Sequence, residues 1–216
     1  MTIPPPPAPS RPMTASGWGI LVLCTLPELI FQLNDHGLLG PIGLRQTAFT
    51  FWAFQSDLVN GGLSRFPGQS ITMFLTYMFL HTGLQHLAVN IIGLMWLWRL
   101  VLITRSGGDV ALFYVMAGVG AAITFNLLGG THTAMVGASG ALFGLLGVYG
   151  VDSRLFWSNT RHTALAQRLL RLVVITAILI LSDLVSRVAT DTSVAWQAHM
   201  GGFLTGALAA MIWPYK

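Results

Sequence analysis

The sequence holds five side chains whose types and spacing suit hydrolysis: Ser139, His199, His86, Asn90 and His81. A serine hydroxyl becomes a nucleophile when a neighbouring imidazole can take its proton. Hydrogen-bond donors must then wait where negative charge will develop on the attacked carbonyl. His86 and Asn90 are four residues apart, the spacing that puts two side chains on one helix face. Ser139 stands in Gly137-Ala138-Ser139-Gly140, and His199 follows Ala198 and precedes Gly201 and Gly202. All five lie in or beside long apolar stretches. Polar groups are costly there and are read as functional candidates.

The elements that must position these residues are membrane spans. Only 8% of the 216 residues are charged and 54% are hydrophobic. A soluble domain carries about 25% charged residues. Six apolar segments are predicted to cross the bilayer: Gly17–Leu33, Leu84–Ile103, Val110–Thr131, Met135–Val151, Leu169–Ser186 and Ala195–Trp213. The expected fold is therefore all-α, a six-helix polytopic bundle. Two apolar pieces between the first two spans, Phe49–Phe54 and Ile71–Leu80, are too short to cross and are expected at the interface. Residues 1–16 read as a disordered tail, with six prolines before Met13, and 17–216 as the membrane domain. The N-terminus lacks the basic start and cleavage site of a signal peptide, so the first apolar segment is expected to remain. Net charge is +4. No run of Lys or Arg points to nucleic acid. The single cysteine, Cys24, excludes an internal disulfide and a four-ligand zinc site, and reads as a small buried hydrophobe.

With the N-terminus cytoplasmic, the inner segments hold eight basic residues: Arg11, Arg99, Arg105, Arg154, Arg161, Arg168, Arg171 and Lys216. The outer segments hold three, Arg45, Arg65 and Arg187. That satisfies the positive-inside rule, and the reverse orientation violates it. Spans two, four and six then all enter from the outer face. His81, His86, Asn90, Ser139 and His199 fall at similar depth on that side. Small residues let two helices approach closely enough for a serine and a histidine to meet. Gly140, Gly144 and Gly147 form one such stripe, and Gly202 and Gly206 continue the face of His199. Taken one at a time, these are ordinary helix-packing motifs; the matched polar groups beside them favour a site.

Three motifs in order on these spans resemble the rhomboid family: His81-x4-His86-x3-Asn90, Gly137-Ala138-Ser139-Gly140, and Ala198-His199-x2-Gly202-x3-Gly206. The resemblance implies an intramembrane serine protease of the basic six-span form, with Ser139 and His199 as a dyad lacking an Asp. It implies that His86, Asn90 and the Ser139 backbone N–H form an oxyanion hole, while His81 braces the long first loop. The implied partners are transmembrane protein substrates in a lipid bilayer, with no cofactor or metal. The implied location is a cell membrane, as in a bacterial inner membrane, with the site toward the outer face.

Two departures stand out. A tyrosine that stacks on the histidine in the family is replaced by Phe143, which reads either as an imidazole platform or as core packing. A Trp-Arg pair of many bacterial relatives is replaced by Thr72-Met73, so the ties within the first loop must differ. Asp183 in span five reads as snorkelling to water or as paired near the outer face. Glu28 beside Pro27 reads as a cap for freed backbone N–H groups or as a substrate contact. Two other classes compete with proteolysis. A catalytically silent relative that binds client helices would have lost Ser or His, and both are present. A transporter using His86 and His199 as a proton relay would often show internal repeats, and none is visible.

Overall fold

The computed structural model describes residues 11–129, 133–151 and 195–213, with 174 and 177. Apart from those two residues, the predicted fifth span lies outside the described residues, Asp183 included. Elsewhere the chain is mostly helical and polytopic. Three helices are long and apolar enough to cross a membrane: α1 (Ala15–Asp35), α5 (Leu84–Leu102) and α6 (Gly107–Leu128). Between α1 and α5 lie α2 (Leu44–Trp52), α3 (Ser56–Val59), α4 (Gln69–Thr76) and a 3₁₀ turn at Tyr77–Phe79. The shorter apolar α7 (Ser139–Val151) and α8 (Trp196–Ile212) complete the described elements.

Helix ends differ from the apolar pattern where polar groups decide. Helix α1 begins at Ala15, inside the stretch read as tail. There Thr14 Oγ1 accepts from Trp98 Nε1 at 3.1 Å, and Ser16 donates to the Gly107 carbonyl at 3.2 Å. Helix α6 begins at Gly107 rather than Val110, because Ser106 and Asp109 form a reciprocal capping box. The fourth predicted span starts at Met135, yet α7 starts at Ser139. Ala134 and Met135 form a short strand β2 instead, antiparallel to β1 (Phe54–Gln55), with Phe54 opposite Met135. The loop before the serine helix is thus tied to the first loop. Ser56 N–H extends the tie by donating to the Thr133 carbonyl at 3.0 Å.

The first loop is held by buried polar side chains. Asn34 donates to the carbonyls of Leu39 and Pro41 and accepts from the N–H groups of Gly43 and Leu44. Buried Gln69 donates to the carbonyls of Thr50 and Phe51 and accepts from Arg65 N–H. Glu28 does not cap freed backbone N–H groups, the first of its two sequence readings; its partners are side chains. Its carboxylate is fully buried and accepts from Gln32 and from both terminal nitrogens of Arg45.

The core lies where α5, α6, α7 and α8 meet. Trp98, Tyr114, Phe113, Leu94 and Leu145 are fully buried there. Outward faces stay apolar: Leu26, Leu29 and Leu33 on α1, Val89, Ile92 and Trp96 on α5, and Leu204, Leu208 and Met211 on α8 are exposed. Such stripes suit a lipid solvent, which does not penalise apolar surface. Beneath them α7 packs most extensively on α8 and α6. A Cβ on Gly202 would collide with the Gly140 carbonyl oxygen, and one on Gly206 with that of Gly144. On α7, a Cβ at Gly144 would meet Ala117, and one at Gly147 the Phe203 carbonyl. The α7 and α8 backbones therefore touch. At the C-terminal end of α8, Arg105 donates to the carbonyls of Ala210 and Trp213, each at 3.0 Å, satisfying otherwise orphaned carbonyls there.

Gly202→Ala must push α8 away from the Gly140 carbonyl. It should lower the thermal midpoint in detergent, corresponding to about 1–3 kcal/mol of overpacking. Gly19→Ala adds a methyl with nothing within 4 Å. That variant should keep or raise the midpoint, and equal losses in both would show that the seam is not close-packed.

Candidate active site

Gly137 sets the approach to the serine. Its φ of +118° disfavours any side chain. A Cβ there would also stand 2.7 Å from His86 Cε1 and 2.8 Å from His86 Nε2. Its N–H donates to the Tyr77 carbonyl at 2.9 Å, which fixes the turn. Tyr77 was not singled out from sequence. It is fully buried, its hydroxyl donates to the Gly118 carbonyl at 2.8 Å, and it borders the position of Gly140. Ser139 is the first residue of α7. Its N–H belongs to the first helical turn, where N–H groups have no partner within the helix and the helix end is positive.

Helix α8 brings the imidazole. His199 lies in its first turn, its N–H donating to the Ala195 carbonyl at 3.2 Å. The ring is buried, and Nε2 lies 2.9 Å from Ser139 Oγ. Residues 60 apart in sequence meet because the glycine seam holds the two helix starts together. Phe143, one turn beyond Ser139, lies against the same ring, with centroids 4.3 Å apart and planes inclined at 35°. Of its two sequence readings, the geometry places Phe143 on the imidazole face.

The third contribution comes from α5. His86 Nδ1 is 3.1 Å from the Thr82 hydroxyl. A hydroxyl donating there leaves the proton on Nε2, the nitrogen turned toward Gly137. Asn90 is buried one turn on. Its Nδ2 donates to the His86 carbonyl at 2.9 Å, leaving the amide's second hydrogen for another acceptor. His81, just before α5, is fully buried with its ring edge-on to His86 at 5.1 Å. Burial pushes its imidazole down to about 3, with nearby His86 acting in the same direction and a backbone hydrogen bond at Phe79 opposing. Cys24 is buried beside the Met78 carbonyl, away from these groups.

The depressed His81 has a consequence for stability. Above about pH 6.5 the imidazole is neutral in folded and unfolded chains alike. As pH falls below that, the unfolded chain binds a proton that the folded chain refuses until about 3. Stability is therefore full above pH 6.5 and declines below it. The thermal midpoint should fall between pH 6.5 and 4, less steeply in His81→Gln. Identical slopes would remove His81 from this role.

Comparison with known proteins agrees with this arrangement. Residues 68–216 match the family model described as the Rhomboid domain. RHOMBOID-like protein 2 of Arabidopsis thaliana is 36% identical over 134 residues, which is 61% of this chain and 39% of that protein. RHOMBOID-like protein 5 of the same plant is 32% identical over 188 residues, 86% of this chain and 55% of the relative. RHOMBOID-like protein 1 is 31% identical over 190 residues, 87% and 44%. The chain thus spans less than two thirds of the length of these curated relatives. The family model covers more than half of this chain and contains every candidate site residue, from His81 to Gly206. A multi-pass membrane protein with Ser139 and His199 joined at the outset of two packed helices, this chain belongs to the rhomboid family.

Proposed function

We propose that the chain is an intramembrane serine endopeptidase that cleaves transmembrane substrates near the outer leaflet. The observation that carries this reading is the 2.9 Å contact between Ser139 Oγ and His199 Nε2 at the start of α7. In the proposed reaction His199 Nε2 takes the hydroxyl proton as Oγ attacks the scissile carbonyl carbon. The carbonyl oxygen becomes an oxyanion, and Ser139 N–H, His86 Nε2–H and the free amide hydrogen of Asn90 stabilise it. His199 then gives its proton to the leaving amine, and the C–N bond breaks. A water, giving a proton to His199, attacks the acyl carbon; the C–Oγ bond then breaks as His199 returns that proton to Ser139 Oγ and the new C-terminal acid leaves. Among the described residues, the Phe143 ring lies against the imidazole and helps to hold it.

The reading includes a six-span membrane domain over residues 17–216 behind a Pro-rich tail, with the N-terminus cytoplasmic. The Arg and Lys distribution supports that orientation, which puts the dyad on the outer side. His81, Gly137, Gly140, Phe143, Gly202 and Gly206 are assigned supporting roles.

Ser139→Ala and His199→Ala should each abolish cleavage of a labelled transmembrane substrate by purified protein, at unchanged thermal midpoint. The double variant should be no worse than either single one. Cleavage near the wild-type rate by either single variant would refute the dyad. Orientation is tested by cysteines in a Cys24→Ala background. Leu63→Cys, in the exposed first loop, should react with an impermeant thiol reagent added to intact cells. Gly108→Cys should react only once the membrane is opened, and the opposite pattern would invert the topology.

A further inference from the structure

We propose that Glu28 and Arg45 are positioning residues for the reaction, holding the start of α5 so that His86 stands over Gly137; this rests on the protease reading above. A carboxylate in the middle of a membrane helix is costly unless a cation and further donors compensate it. Glu28 is fully buried in α1, and the guanidinium of Arg45 grips it with two bonds, Nη1 to Oε2 at 2.6 Å and Nη2 to Oε1 at 3.0 Å. The remaining donors are also engaged. Nε lies 2.9 Å and Nη2 2.8 Å from Asp35 Oδ2, and Nη1 lies 2.8 Å from the backbone carbonyl of His81. The Phe31 ring lies 5.2 Å beneath the guanidinium carbon. Four hydrogen bonds and the Nη2–Asp35 ion pair thus join the arginine to acceptors from two separate parts of the fold.

One of those acceptors has functional reach. The His81 carbonyl begins the Thr82-Gly83 link into α5, and Thr82 is the residue that meets His86 Nδ1. Gly83, with φ 160° and ψ 172°, is extended and carries no side chain to brace the link. Arg45 supplies a fixed point there. It is anchored in turn to a transmembrane helix rather than to the loop alone. A single charge-assisted network thus ties α1 and α2 to the peptide that sets the height of His86. The planar fork is required. Lysine could meet one or two of these acceptors but cannot make the four hydrogen bonds to four oxygens found in this geometry.

A positioning role differs from a merely structural one in what it does to each correctly folded active site. Full-length Glu28→Gln, Arg45→Met and Arg45→Lys would be purified, and their competent sites counted by the amount of fluorophosphonate probe bound to Ser139. Turnover of a transmembrane substrate per titrated site should fall about tenfold in Glu28→Gln and Arg45→Met, with KM within about twofold. Arg45→Lys should lie between these and wild type, and Glu28→Gln/Arg45→Met should be no slower than the slower single variant. Turnover per titrated site at the wild-type level, with only fewer sites or a lower midpoint, would overturn the proposal. So would a raised KM at unchanged kcat. Wild-type protein without Ser139-dependent cleavage is a separate result, and it would overturn the protease reading together with this one.

Discussion

The direct backbone contact between α7 and α8 is the constraint on which the rest of the molecule depends. A serine hydroxyl and an imidazole reach only a few ångströms from their helix axes. Helices separated by ordinary side chains lie about 8–10 Å apart. Here Gly202 faces the Gly140 carbonyl and Gly206 the Gly144 carbonyl, without room for a methyl at either crossing. The two starts are drawn together until Ser139 Oγ and His199 Nε2 are 2.9 Å apart. In lipid no hydrophobic force pulls helices together, so the attraction must come from close packing and from polar contacts of this kind. The same glycines thus supply cohesion and the Ser139–His199 geometry. A change that loosened the fold at this seam would also lengthen the hydrogen bond.

The seam alone holds Ser139 and His199, the proposed nucleophile and base, but not the proposed donors. These come from α5, whose start is governed by the first loop. That loop buries Phe54, Met73, Tyr77 and Met78 in the core, and saturated polar side chains fix the rest of its order. Asn34 makes four hydrogen bonds, Gln69 three and the Arg45 guanidinium at least one from every nitrogen. Buried polar groups stabilise a unique arrangement only when they are satisfied in this way. A loop made like this can sit at the depth of a membrane surface without exposing orphaned backbone to lipid.

Much of this was legible in the sequence, for definable reasons. Intervals between Ser139, His199 and His86 could be read because helical spans convert spacing into depth, and glycines at four-residue intervals announce close contact. The oxyanion role of His86 and Asn90 came from the family resemblance, and their i, i+4 spacing showed only that they share a helix face. What escaped was long-range and polar. Nothing in the order of residues shows that Arg45 belongs to Glu28, 17 positions earlier, or that Phe54 pairs with Met135 across the first loop. Glu28 was misread for that reason: next to Pro27, its local context suggested a capping role. Boundaries also moved where caps overrode hydropathy, at Ser106 and at the β2 strand before Ser139. Phe143 shows the limit from the other side. Its position four after the serine admits both core and site, and its ring does both, packing on the core while lying 4.3 Å from the His199 ring.

These two levels of construction have different tolerances. The α7–α8 seam is an incompressible contact, backbone on backbone, and can be adjusted only by moving whole helices. The α5 donors are reached through a chain of hydrogen bonds running from Glu28 through Arg45 and the His81 carbonyl to Thr82 and His86. Each link in such a chain can stretch by tenths of an ångström at modest cost. Gly137 lies where the two meet, with its N–H on the Tyr77 carbonyl and its Cα beneath the His86 ring. A substrate strand that must enter beside a rigid dyad needs some freedom in the surrounding groups. In the proposed reaction that freedom falls to the donors, because the nucleophile and base cannot provide it without parting.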